Sequence, residues 1–270
     1  MGDWPNPEVL QRLTSYGLAA TSSGVVLTMA GAINTKSAWK ELIASTPYDS
    51  FGITVEGGMT NIGSFDVGLG AVGSEQIIVP DFYQGFWLSG LRTLHFPIFI
   101  PAGSRIAGRY QSTAIATAPK MNVLLSEGDV NRAFSQIVTY GFTPASSKGT
   151  SVDPGGTAHT KGVWSQLVAS TAKDIRAIAI MLGDQGLNRT TNSADWLIDI
   201  GIGAAGVENA FIPNWWARYY YTSGAVAIDQ SISEWFWLPI PAGSRLAARA
   251  QCSITTTSPR KLDVILHAIV

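Results

Sequence analysis

The chain has almost no cysteine, little charge and no long apolar run. Cys252 is its only cysteine, so the sequence excludes an internal disulfide and predicts a fold that packing alone stabilises. Charged residues make up only 14% of the chain and the net charge is -1, which leaves no basic field to attract nucleic acid. Proline and glycine interrupt the apolar runs, so we expect no insertion into a membrane.

Catalytic and metal-binding patterns are also missing. The three histidines, His95, His159 and His267, do not have the spacing of a zinc or iron site. The sequence contains no nucleophile elbow, no phosphate-binding loop and no combination of cysteine with histidine. A pair of carboxylates for glycoside cleavage depends on the fold, so the sequence leaves that reading open. We predict no catalytic residues, no cofactor, no metal and no enzymatic activity.

The surface is expected to be covered by other protein. A chain that is 46% hydrophobic and poorly charged has little to keep its surface apart from its neighbours. The first residues include Asp3, Pro5 and Pro7 and lack the apolar stretch of a secretory signal. We therefore expect synthesis in a reducing cytoplasm and function as an oligomer.

The most informative positive feature is a duplication. Three phrases occur twice, in the same order, at a separation of roughly 125 to 140 residues, which is the size of a domain rather than of a solenoid repeat. We predict two related domains, residues 1–127 and 128–270. The matched phrases are NTKSAWKELIAST (34–46) with HTKGVWSQLVAST (159–171), DVGLGAVGSE (66–75) with DIGIGAAGVE (199–208), and IFIPAGSRIAGRYQ (98–111) with LPIPAGSRLAARAQ (238–251).

The local sequence pattern is that of an all-β protein. Short runs of β-branched and aromatic residues alternate with Gly, Pro, Ser and Asn, about eight runs to a copy, which predicts two tandem antiparallel β-sandwiches of the jelly-roll type. A short helix is expected before each sandwich, at Asn6–Leu13 and at Val130–Ile137. The segment 143–158 is expected to be a long loop. Strands are expected near 24–29, 38–45, 51–56, 64–69, 76–80, 93–100, 104–112 and 120–126, and near 163–170, 175–182, 196–202, 209–213, 234–240, 244–253 and 261–268.

The repeated phrases contain charged residues that are predicted to pair. Strand alternation after the PAGSR turn places Arg105 and Arg109 on one face of their strand. If the DVGLG strand lies beside it, these arginines can reach Asp66 and Glu75. The second copy repeats the set as Asp199, Glu208, Arg245 and Arg249. We interpret both sets as structural ion pairs, because the acids lack the dense oxygen-ligand spacing of a calcium loop.

The two copies differ most in their aromatic residues. Residues 214–221 of the second copy read NWWARYYY, whereas the first copy has a sparser set at the matching place. Tryptophan and tyrosine beside arginine suit the centre of a protein interface, and they also suit stacking on a sugar ring. Trp4 precedes the first strand and is suited to docking on a partner. The interaction candidates are Trp215, Trp216, Arg218, Tyr219, Tyr220 and Trp4.

The tandem D-[VI]-G-[LI]-G-A-x-G-x-E and P-A-G-S-R phrases resemble the duplicated jelly-roll domains of virion proteins of tailed bacteriophages. This resemblance implies a non-enzymatic structural protein of the virion surface, either a head decoration or fibre subunit or a tail-fibre or baseplate subunit. Its expected partners are copies of itself, other virion proteins and host surface glycans. The alternative is a free-standing carbohydrate-binding module or lectin with two related domains.

Overall fold

The protein is described from a computed structural model, in which almost all regular structure is β-strand. For Arg12, Asp184, 219–222 and 225–229 only the backbone is described. The described residues are 12–17, 24–28, 31–58, 61–85, 92–115, 119–127, 134, 136–184, 194–222, 225–229, 231–254 and 260–270.

Nine strands of the first copy form two antiparallel sheets that pack face to face. One sheet has the order β1-β9-β4-β7, with β2 also paired to β9, and the other has the order β3-β8-β5-β6. Without the short β2, this is the strand order of a jelly roll, in which the chain crosses repeatedly between the two sheets. The strands are β1 (Arg12–Tyr16), β2 (Val25–Val26), β3 (Lys40–Ile43), β4 (Ser50–Gly58), β5 (Gly63–Leu69), β6 (Gln76–Gln84), β7 (Arg92–Phe96), β8 (Ile106–Ser112) and β9 (Lys120–Glu127).

The second copy repeats this architecture and extends it. In one sheet β19 is the centre, with β10, β12 and β14 paired to it, and the other sheet has the order β13-β18-β15-β16-β17. A single 3₁₀ turn lies at Pro144–Ser146. The strands are β10 (Ile137–Tyr140), β11 (Phe142–Thr143), β12 (Lys148–Val152), β13 (Ser165–Val168), β14 (Ala177–Asp184), β15 (Ala194–Ile202), β16 (Asn209–Thr222), β17 (Ala225–Asp229), β18 (Leu246–Cys252) and β19 (Leu262–Ile269).

The prediction of tandem antiparallel sandwiches is confirmed, but the helices before them are not shown. Leu13 and Ile137, where the predicted helices end, lie instead in strands β1 and β10. Residues 6–11 and 130–133 lie outside the described residues. The domain boundary between 127 and 128 falls beside the same undescribed segment and stays a prediction.

Other predictions of local structure were wrong as well. The strand expected near 234–240 is reduced to isolated bridges at Phe236 and Ile240. The segment 143–158 contains strand β12, which pairs with β19, because its alternating polar residues suit a strand with one half-exposed face. The expected strands at 76–80 and 209–213 continue far past their prolines as β6 and β16. Asp81 and Asn214 follow those prolines with positive φ, so the chain makes a local irregularity and then resumes the strand.

Each sandwich buries the facing sides of its two sheets. In the first copy the core includes Ile53, Phe65 and Val123, all fully buried. In the second copy alternate residues of β14, such as Ile178 and Ile180, point into the equivalent core. Alternation along a strand then forces the residues between them to the outer face of the sheet.

The outer face of the β14–β19 sheet is apolar, and the first copy covers it. Ala177, Ala179, Met181 and Ile265 belong to the same buried cluster as the core of the first copy. Phe96 of β7 meets the ring of His267 edge-on at 5.4 Å between centroids. The two sandwiches therefore share one continuous hydrophobic core across their junction.

Polar groups inside the junction are paired across it. The Tyr83 hydroxyl hydrogen-bonds to the Asp263 carboxylate, and the guanidinium of Arg92 donates to the Leu182 carbonyl at 3.0 Å. Burial, together with the neighbouring Asp263 charge, raises the pKa of Tyr83 far above its ordinary value. Burial also lowers the pKa of His267 to about 3, so its imidazole is neutral at physiological pH. These contacts fix one relative orientation of the two copies.

The junction includes a backbone contact that only glycine allows. A Cβ added at Gly183 would lie 2.7 Å from the Tyr83 hydroxyl and 2.8 Å from the Cα of Gly85. Gly183→Ala is therefore expected to lower the free energy of unfolding by about 1–3 kcal/mol, because the buried contact cannot open without separating the copies. Urea denaturation measures the loss.

Gly156→Ala is the matched control, since a Cβ at Gly156 meets nothing within 4 Å. Equal stability of the two variants would show that the copies do not pack as described.

Candidate functional site

The repeated charged residues of the first copy form a cluster, the Asp66 cluster, on the outer face of its β3-β8-β5-β6 sheet. Asp66 on β5 is almost fully buried and accepts from Lys36 Nζ at 2.7 Å and from Arg109 Nε at 2.8 Å. The guanidinium of Arg109 lies over the ring of Trp39, 4.4 Å from its centroid. One carboxylate thus holds together β5, β8 and the segment that leads into β3.

The second copy builds the same cluster, the Asp199 cluster, with the same geometry. Asp199 accepts from Lys161 Nζ at 2.7 Å and from Arg249 Nε at 2.8 Å. Arg249 stacks on Trp164 at 4.4 Å. Burial disfavours the charged form of Asp199, but hydrogen bonds from Lys161, the Asn214 amide and Arg249 outweigh it, so its pKa lies below the ordinary value.

The glycine that follows each aspartate makes room for the tryptophan. A Cβ at Gly68 would lie 2.9 Å from the Trp39 ring, and one at Gly201 would lie 2.6 Å from the Trp164 ring. This explains the repeated D-x-G in physical terms, because the indole lies directly against the bare backbone of the strand.

A second ion pair joins the PAGSR turn to the end of β5 in each copy. Arg105 contacts Glu75 at 3.0 Å and Glu41 at 2.8 Å, and it also donates to the Gly70 carbonyl. In the second copy Arg245 contacts Glu208 at 2.6 Å, and Gln166 stands where Glu41 stands in the first. The cross-strand pairing expected for all eight repeated charges is thus present.

The clusters also contain residues that the sequence analysis does not identify as candidates: Lys36, Lys161, Trp39 and Trp164. They belong to the repeated T-K-x-x-W phrase, so the duplication contained the signal. Their pairing with the D-x-G phrase depends on strand order, because Lys36 and Asp66 are 30 residues apart and Lys161 and Asp199 are 38 residues apart.

One difference between the two clusters lies at Asp81. Asp81 in the first copy adds a second carboxylate to Lys36 at 2.7 Å, whereas Asn214 takes the matching place in the second copy. Burial, and then the nearby Asp66 charge, raise the pKa of Asp81 above its ordinary value despite Lys36. Asp81 is therefore the least favourably placed acid of the cluster.

The described carboxylates of both clusters are all engaged by cations. In the described ranges, no group of three or more metal-binding side chains comes together. Each buried carboxylate of the clusters is neutralised by a lysine or an arginine, which removes the free acid or base that proton transfer requires. No helix in the described part of the chain has the length and hydropathy to cross a membrane.

The aromatic segment of the second copy lies on β16, which is five residues longer than its counterpart β6. Trp215 packs partly into the core, whereas Trp216 points outward with 44% of its surface exposed. Arg218 pairs with Asp195 at 2.7 Å and lies 5.4 Å from the Trp216 ring centre. Tyr219 and Tyr220 continue the strand and pair with β17. Trp4 lies outside the described residues.

Comparison with known proteins adds little. No family model matches the sequence, and no curated protein matches it. Among solved structures, infectious bursal disease virus Gt strain aligns over 99% of this chain and 74% of its own, at 12% identity and a TM-score of 0.25. The tandem CBM22-1-CBM22-2 domain of Paenibacillus barcinonensis Xyn10C aligns over 96% and 98%, at 10% identity and a TM-score of 0.24. Such TM-scores support no functional statement.

Removing the central carboxylate tests the structural role of the cluster. Asp199→Asn leaves Lys161 and Arg249 half-buried without their acid, so we expect the free energy of unfolding to fall by about 2 kcal/mol. The control is Asp153→Asn, because Asp153 and Lys261 form an exposed pair at 3.6 Å and should contribute less than about 0.5 kcal/mol. Equal losses in urea denaturation would contradict the structural role.

The difference between Asp81 and Asn214 gives a prediction about pH. Because folding raises the pKa of Asp81, the folded state binds its proton more tightly than the unfolded state, so stability falls as pH rises from 3.8 through the raised value. Asp81→Asn is expected to unfold at a higher urea concentration than wild type at pH 7, and the two should converge near pH 3. A less stable Asp81→Asn at pH 7 would contradict this account.

Proposed function

We propose that the protein is a non-enzymatic structural component of a bacteriophage virion surface, either a head decoration or fibre subunit or a tail-fibre or baseplate subunit. In this role the chain acts as assembled copies, alongside other virion proteins, after synthesis in the host cytoplasm.

The observation that carries the proposal is that the duplicated charged residues pair with one another. The repeated acids meet repeated cations within their own copy, at 2.6–3.0 Å. The duplication therefore repeats a framework and not a reactive centre. A protein whose repeated charged residues pair with one another, and so stabilise its own fold, suits the role of a structural subunit.

The shared core across the junction supports the same role. Phe96, Met181 and Ile265 pack in one buried cluster, so the two sandwiches act as one stiff block rather than as two domains on a linker. A stiff block with few charges loses little conformational entropy when it joins an assembly.

Carbohydrate binding is the second candidate function, and one observation favours it. Trp237 is 58% exposed and packs at 5.7 Å against Phe134, so its ring is held in place but open to a ligand. A fixed, exposed indole suits stacking on a sugar ring. A lectin of this kind could stand alone or contact host glycans from a virion.

Particle composition tests the main proposal. Particles of the phage that encodes this sequence, purified on a density gradient, should contain the chain in a fixed number of copies by quantitative mass spectrometry. Gold-labelled antibody should bind the particle surface. Absence from purified particles would refute the proposal.

A glycan array with the purified chain tests the second candidate. Binding that Trp237→Ala abolishes and Trp216→Ala leaves intact would support a sugar site at Trp237. Release of reducing sugar from host polysaccharide would instead indicate an enzyme and contradict both readings.

A further inference from the structure

The same end of each sandwich is buried in the first copy and open in the second. In the first copy Ser64, Tyr83 and Gln111 lie side by side on three neighbouring strands, and all three are buried. In the second copy the strand register places Leu197, Trp216 and Gln251 at the same three positions. There Trp216 is 44% exposed, and the other two are half-buried.

Burial of the first set comes from the junction between the copies. The Gln111 amide donates to the Pro144 carbonyl and to the Ser147 hydroxyl, both at 2.9 Å, and the Tyr83 hydroxyl reaches Asp263. The protein thus already uses this surface of a sandwich to bind another sandwich.

The open surface is more apolar than the buried one. Leu197 occupies the position that Ser64 has in the first copy, and Trp216 occupies the position of Tyr83. Both are nevertheless partly exposed to water. Exposed aromatic and aliphatic side chains rimmed by polar groups are typical of protein interfaces. The rim is formed by Arg218 and Asp195, which are 39% and 33% exposed.

We propose that this surface, the Trp216 face (Asp195, Leu197, Trp216, Arg218 and Gln251), binds the Trp216 face of a second copy of the chain about a twofold axis. The inference builds on the proposed assembling role and identifies the contact that begins the assembly.

Charge complementarity points to a twofold contact. Among the described side chains, the Trp216 face carries the cation Arg218 and the anion Asp195 beside its exposed indole. A twofold axis that passes between these two side chains places the arginine of each copy beside the aspartate of the other, so the face can complement itself.

A head-to-tail contact that repeats the internal junction is disfavoured. Such a contact would need a free apolar face like that of the β14–β19 sheet, which the first copy already covers. The matching β4–β9 face of the first copy is polar, because Thr54, Glu56 and Asn122 occupy the positions of Ala179, Met181 and Ile265. Glu56 and Asn122 satisfy each other at 2.7 Å. The tight approach of Gly85 to Gly183 also cannot recur, because Arg218 stands at the position of Gly85.

Sedimentation velocity of the full chain tests the contact. Wild type should be a dimer at micromolar concentration, and Trp216→Ala should weaken the dimer by roughly 30-fold or more, as expected for an aromatic at the centre of an interface. Trp237→Ala, which removes an exposed tryptophan outside the face, is the control and should sediment as wild type. A monomeric wild type, or a dimer unchanged by Trp216→Ala, would overturn the proposal.

Exchange of the two charges tests the symmetry. Arg218→Glu and Asp195→Arg should each be monomeric, an equimolar mixture should form a heterodimer, and the double variant should dimerise again. Circular dichroism and urea denaturation confirm that each variant folds. Open-ended oligomers, or no recovery in the mixture, would overturn the twofold arrangement.

These outcomes separate the inference from the proposed function. A chain that is monomeric in solution yet present in purified particles refutes the twofold contact and leaves the virion role intact. A twofold dimer that is absent from purified particles supports the twofold contact and refutes the virion role.

Discussion

The apolar outer face of the β14–β19 sheet must be shielded from water, and the packing of the two copies against each other depends on this. Its side chains are Ala177, Ala179, Met181, Ile265 and Ile269, with His267 among them, and all lie beneath the first copy. At about 25 cal/mol per Å² of apolar surface, covering such a face is worth several kcal/mol. The duplication is therefore not two independent domains, because one copy completes the core of the other.

Within each sandwich, a single buried carboxylate organises one sheet surface. Asp66 and Asp199 each hold a lysine and an arginine, and the arginine lies over the ring of a tryptophan that needs a glycine beneath it. A buried ion pair of this kind contributes modestly to net stability, but it penalises any register in which its partners are separated. The cluster thus specifies which strands are neighbours, as a duplicated framework requires.

The asymmetry between the copies separates internal from external contacts. Asp81 and Tyr83 of the first copy become Asn214 and Trp216 in the second, where the matching end is open. The residues that repeat serve the fold. Tyr83 lies where the first copy faces its twin, whereas Trp216 faces outward, which is why the proposed assembly contact lies in the second copy.

Much of this was visible in the sequence. Turn residues and strand alternation predicted the sandwiches. Strand alternation also placed Arg105 and Arg109 within reach of Asp66 and Glu75, on the condition that their two strands are neighbours. The turn signals at Asn6 and Pro7 predict a helix that reaches Leu13, but Leu13 lies in strand β1, where it pairs with Ser126 of β9. The loop predicted at 143–158 contains strand β12, which pairs with β19, far along the chain.

The sequence by itself determined the fold class, the duplication and the residues that each copy must keep. Only the tertiary structure decided which outer sheet face is covered, that Tyr83 is buried while Trp216 is exposed, and that Lys36 and Trp39 join the Asp66 cluster. The physical reason is that local pattern reports which side chains share a face of a strand, whereas burial of that face depends on what packs against it from far along the chain.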